Sequence, residues 1–203
     1  MIIREACIGS FEMACIAEQN GADRLEVCER LDIGGVTPSL EMLIMTRQKI
    51  KIPLVAIIRP RGGDFIYTPS EFDGMLKRIE RCKVLSYNGI AVGTLTRHGE
   101  IDKSYMKAVM EATEGMEVTF HMAFDACKDM FESMDFLKEI GVKRILTKGG
   151  KLSAFKNIDQ IRTLNLASKD EIIIMPGGGV TKDNYLELIE KTGVFEVHGT
   201  KIV

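Results

Sequence analysis

Eight short apolar runs, each separated from the next by a stretch of helical pattern, constrain this chain more than any other feature. They are Ile2 to Cys7, Arg24 to Cys28, Pro53 to Arg59, Gly89 to Val92, Val118 to His121, Arg144 to Thr147, Ile172 to Met175 and Phe195 to His198. Between them the apolar spacing turns to a helical period. Ser10 is placed to cap a helix carrying Met13, Ala14, Ile16 and Ala17, with Gly21 as its stop, and Ser39 to cap one through Leu43 and Ile44. Thr68-Pro69-Ser70-Glu71 satisfies the capping-box pattern with proline at the first helical position, leading into Phe72, Met75, Leu76 and Ile79. Further helices are predicted over Lys103 to about Thr113, Met130 to Ile140, Ser153 to Leu164, and from Thr181 to near Gly193. Strands joined by crossover helices make a parallel sheet, and eight such units close into an α/β barrel of the TIM, or (β/α)8, type, for which ~200 residues is the lower size. A doubly wound open sheet is the alternative, but no Gly-x-Gly-x-x-Gly follows strand one. Only five residues follow His198, too few for a closing helix, so the barrel is expected to lack a complete last helix. No linker interrupts the alternation, and residues 1–203 read as one domain.

Composition narrows the partners. Apolar residues make up 45% of the 203, as in an ordinary soluble protein. A net charge of −2 with scattered Lys and Arg gives no electrostatic case for nucleic acid or an anionic membrane. No apolar run approaches the ~20 residues that span a bilayer. Met1 to Glu5 reads as a strand without the layout of a signal peptide, so a cytoplasmic location is expected. The five cysteines, Cys7, Cys15, Cys28, Cys82 and Cys127, are odd in number and contain no Cys-x-x-Cys. That pattern fits reduced thiols, not a disulfide framework or a structural zinc site.

In barrels of this type the working groups lie at the C-terminal ends of the strands. There this chain is polar. Strand one supplies Glu5 and Cys7, and strand two Glu26 and Cys28, each pair sharing one face. Strand three opens into Arg59-Pro60-Arg61-Gly62-Gly63-Asp64. If the strand continues through Pro60, Arg59 and Arg61 point the same way and form a bidentate site for a carboxylate or phosphate. Glu5, Asp64, Thr147 and His198 are expected beside that ligand. Gly177 and Gly178, in a run of three glycines, could turn backbone N–H groups toward an anion, although a tight turn would explain them as well. For acid–base work the candidates are Glu26, His121 and Asp125. Glu5 and Glu26 could equally be the permanent partners of the two arginines. Cys7 and Cys28 are the soft donors: thiolates on adjacent strands could bind Cu(I), whereas buried cysteines also serve as small apolar fillers.

Six segments in order resemble the CutC family, long named for copper homeostasis. They are Gly21–Cys28, Gly34–Ser39, Arg59–Phe65, Thr119–Asp125, Leu146–Gly150 and Met175–Gly179, and the likeness covers nearly the whole chain. The resemblance implies a cytosolic TIM-type barrel concerned with copper. The family usually carries Arg where Met122 stands and Ser where Lys148 stands. Two functions therefore compete: a Cu(I)-binding protein with Cys7 and Cys28 as ligands, and an enzyme acting on a small phosphorylated or carboxylated metabolite. A metabolite-binding regulatory barrel is a third option. The absent eighth helix leads us to expect an apolar seam, flanked by strand eight and the helix from Thr181 to Glu190, that is used for two-fold self-association.

Overall fold

A computed structural model describes all of residues 1–203. Eight strands, β1 (Ile3–Ile8), β2 (Arg24–Val27), β3 (Leu54–Ile57), β4 (Gly89–Val92), β5 (Glu117–Phe120), β6 (Arg144–Thr147), β7 (Ile173–Pro176) and β8 (Glu196–Gly199), alternate with seven helices. These are α1 (Phe11–Gln19), α2 (Leu40–Lys49), α3 (Pro69–Val84), α4 (Lys103–Ala112), α5 (Met130–Glu139), α6 (Ile158–Ser168) and α7 (Tyr185–Thr192). The strands are parallel throughout and ordered β7-β6-β5-β4-β3-β2-β1-β8. Between β7 and β8 only an isolated bridge, Thr181 with Lys201, joins the two edges. The result is a nearly closed (β/α)8 barrel with seven helices, as the alternation of the sequence implies.

The local signals act as their chemistry dictates. Ser10 accepts from the Met13 N–H and Ser39 from the Met42 N–H, while Thr68 and Glu71 complete a reciprocal capping box. Two helix starts differ from the sequence reading. A short 3-10 turn occupies Ala154–Lys156 and α6 begins at Ile158. Thr181 is drawn into the bridge with Lys201, and α7 begins after Asn184, whose side chain accepts from the Thr181 N–H at 2.8 Å.

Two apolar clusters divide the sheet. The larger, with Leu25, Val27, Leu54, Ile90 and Phe120, fills the space between strands and helices. The smaller, Cys7, Cys28, Val55, Ile57 and Ala91, points into the barrel. Beside it the lumen carries a buried ion network. Arg24 bridges Glu5 and Glu196, and Arg144 bonds Glu196 at 3.2 Å and Glu117 at 2.6 Å. All but Glu117 are buried, so each charge depends on its partner to offset the loss of water.

Candidate functional site

The site stands on that buried ion network. Parallel register places Glu5 opposite Arg24 on one side and His198 on the other, with Cys7 opposite Glu26. Glu5 therefore bonds Arg24 from one oxygen and His198 Nδ1 from the other, at 2.8 Å. Burial would raise the Glu5 carboxyl, but Arg24 and His198 outweigh it and hold the group well below the usual carboxylate range. His198 is thereby oriented, with its Nε2 3.7 Å from Glu26 Oε2. Burial works against its protonation; Glu26, Cys7 and Glu5 overcome it and raise His198 well above the ordinary histidine value.

One layer up, Cys7 Sγ and Cys28 Sγ lie 3.7 Å apart, each 3.3 Å from Glu26 Oε2. Cys7, Glu26 and His198 each offer a ligand atom within 4.8 Å of the others, and all three are buried. Burial, together with the Cys7 charge, pushes the Glu26 carboxyl up to about 8. The hydrogen bond from Cys28 holds Cys7 well below the usual thiol range, against its burial, while Cys28 is raised. The carboxyl and the sulfurs thus share a proton inventory that a bound cation would empty.

These groups open into a cavity of about 390 Å³ at the C-terminal end of the barrel. Cys7, Glu26, Arg59, His121, Gly178 and His198 line it, with Phe65, Leu31, Met122 and the chain from Gly199 to Lys201. Cys28 lies behind Cys7, and Glu5 behind His198. Arg59 is buried, its Nη1 donating to the carbonyls of Ile33, Gly34 and Gly35 at 3.0–3.2 Å and its Nη2 to Gly63 at 2.9 Å. His121 Nδ1 accepts from the Ala123 N–H at 3.2 Å. Burial and then the Arg59 charge lower His121 to about 3, so it is neutral.

The remaining predicted residues lie elsewhere. Strand β3 ends at Ile57, and Arg59 N–H turns instead to Thr37 Oγ1 at 2.8 Å, so alternation does not carry through Pro60. Arg61 does not line the cavity: it pairs with Glu71 at 2.6 Å and Asp64 at 3.0 Å and lies over the Tyr67 ring. The paired-arginine site is thus corrected to a single arginine, and Asp64 belongs to the surface cluster around Arg61. Neither Glu5 nor Glu26 is an arginine-loop partner; Glu5 serves Arg24, and Glu26 the sulfurs. Asp125 accepts from Thr147 Oγ1 at 2.6 Å and from the Lys148 and Gly150 N–H groups, so both side chains are spent in holding the loop after β6. Gly177 is packed beneath Leu146, Met122 and His198, whose side chains would have to shift to admit a Cβ there. Sequence reasoning passed over Arg24 as a hub, although Arg24, Glu26 and Cys28 share the parity that points inward.

Comparison with known proteins matches this frame along its length. The family model described as "CutC family" matches residues 2–203. A "family protein CutC" of Enterobacter sp. (strain 638) is 45% identical over 98% of this chain and 80% of the relative. The human protein named "Copper homeostasis protein cutC homolog" is 39% identical over 97% of this chain and 72% of its own length. The crystal structure described as the putative copper homeostasis protein CutC from Streptococcus agalactiae is 35% identical, covers 100% of both chains and superposes with a TM-score of 0.96.

Proposed function

The chain belongs to the CutC family, and from that premise we propose that it serves copper homeostasis by holding Cu(I) at the floor of the barrel mouth, on Cys7 and Cys28. The observation that carries this reading is the buried sulfur pair, 3.7 Å apart, beside Glu26 and His198. Thiolates are the donors Cu(I) prefers. Two sulfurs so close cannot sit on opposite sides of one ion at about 2.3 Å each, so the set calls for a third donor. His198, a ring nitrogen of which lies within 4.8 Å of the Cys7 sulfur, is the donor that would complete the set, through Nε2. Its Nδ1 is already bonded to Glu5, the outer partner that orients a ligating histidine. Loading displaces the Cys28 thiol proton and the proton on His198 Nε2, and both leave to solvent. Such free thiols suit a reducing compartment, which fits a cytoplasmic location.

Anaerobic competition titration with a Cu(I) chelator tests the reading. We expect one tightly held equivalent per chain, lost in the Cys7→Ser, Cys28→Ser double variant and retained when Cys82 or Cys127 is replaced. Unchanged affinity in the double variant, or tight binding of Zn(II) without Cu(I), would overturn it.

A second reading, an enzyme acting on a small anionic metabolite, is favoured by a separate observation. Glu26 Oε1, Arg59 Nε and His121 Nε2 all belong to residues lining the cavity, and all are buried without a partner.

A further inference from the structure

Resting on that second reading, we infer that the cavity wall formed by Arg59 and His121 binds a small, singly charged hydroxy- or oxo-carboxylic acid. The charge balance of the barrel points first to Arg59. Three arginines are buried, and two of them, Arg24 and Arg144, are neutralised by carboxylates. Arg59 has no acidic partner. Four backbone carbonyls satisfy its terminal N–H groups but leave its charge uncompensated and its Nε–H unpaired. A buried cation left this way is costly, and an anion in the cavity removes the cost.

The second donor follows from a hydrogen bond. Because His121 Nδ1 accepts from Ala123 N–H, the neutral ring carries its proton on Nε2, which is buried and unpaired. Phe65 packs against both groups: its ring centroid is 5.1 Å from that of His121 and 5.0 Å from Arg59 Cζ. It shields the wall from water and strengthens any charge-assisted bond made there. The third unpaired atom, Glu26 Oε1, offers a partner for a hydroxyl or carbonyl oxygen beside the carboxylate.

The charge of the ligand follows from the buried wall. Arg59 brings one positive charge there and His121 none. His198 is paired with Glu5 and Lys201 is exposed to solvent, so a monocarboxylate is neutralised on this wall. A phosphate dianion would bury a second, unmatched charge. A volume of about 390 Å³ is of the size of a small-molecule pocket and holds such an acid with room to spare.

Calorimetric titration of the reduced, metal-free protein with glycolate, pyruvate and glycerol 3-phosphate tests this, joined to NMR of the protein with 15N-labelled histidine. Saturable one-to-one binding of glycolate or pyruvate is expected, with a shift of the His121 Nε2 signal. Binding should weaken about tenfold or more in Arg59→Gln. Because Arg59 also holds its loop, His121→Asn, which retains an acceptor for Ala123 N–H, is the companion variant and should weaken binding in the same direction. Binding of glycerol 3-phosphate in preference to both monocarboxylates would overturn this inference and leave the second reading standing. Absence of saturable binding by all three probes would overturn both.

Discussion

Arg24 shows at the scale of one residue how the site is kept in place. It anchors Glu5 and Glu196, and Glu5 in turn fixes the His198 ring, so one guanidinium orients an imidazole two contacts away. Arg24→Ala is expected to cost about 3–5 kcal/mol in urea unfolding, because it removes one of the two partners from each of two buried carboxylates, Glu5 and Glu196. A stability loss below about 1 kcal/mol would show that the network is solvated. His121 gives a pH signature of opposite character to a surface histidine. Unfolded, it takes up a proton near 6.5; folded, burial and Arg59 hold it neutral down to about 3. Its contribution is complete above pH 6.5 and is lost as pH falls toward 3, at about 1.4 kcal/mol per pH unit. Unfolding midpoints of wild type and His121→Asn should therefore converge as pH falls from 6.5 to 4.5. Parallel profiles would contradict a neutral buried His121. At this scale the sequence showed which residues gather at the strand ends but not their pairing. Pairing depends on register across β8 and β1, which are 193 residues apart at the His198–Glu5 contact.

The elements were the most legible level. Capping residues and glycine stops marked the helices because each satisfies a backbone group at a helix end. The misreading came at Pro60, where a two-residue alternation was extended past the end of a strand. The ladder stops at Ile57, and the arginine loop takes its geometry from carbonyls of the segment Ile33–Gly35, contacts with no periodic signal. Strand β8 carries a second constraint at the element scale. A methyl group added at Gly199 would run into the Val180 carbonyl oxygen, where the chain after β7 crosses close to β8. Gly199→Ala should lower stability by about 1–3 kcal/mol, read as a fall in the urea midpoint. A neutral result would mean that the β7–β8 edge is loose enough to part.

For the whole molecule, that edge is where the barrel is least complete. Only the Thr181–Lys201 bridge joins β7 to β8, and no helix follows β8. Strand β8 is itself buried, contrary to a bare seam, but Ile2 and Phe195 at the starts of β1 and β8 are exposed, as are Ile16 on α1 and Leu186 on α7. A two-fold dimer covering these side chains is the expected assembly. Light scattering at micromolar concentration should give twice 22.6 kDa, and a monomer mass would remove the dimer. The barrel was legible because the alternation of strand and helix is written in local pattern. The proposed metal site was only half legible: two cysteines were visible, but the stacking of Glu26 and His198 beside Cys7 needs the closed barrel. X-ray absorption at the copper edge of the Cu(I)-loaded protein tests that site most directly. The proposed site calls for two sulfur donors and one nitrogen donor in a bent arrangement, with the nitrogen lost in His198→Ala. A linear two-sulfur spectrum unchanged by that variant, or one without sulfur, would contradict it.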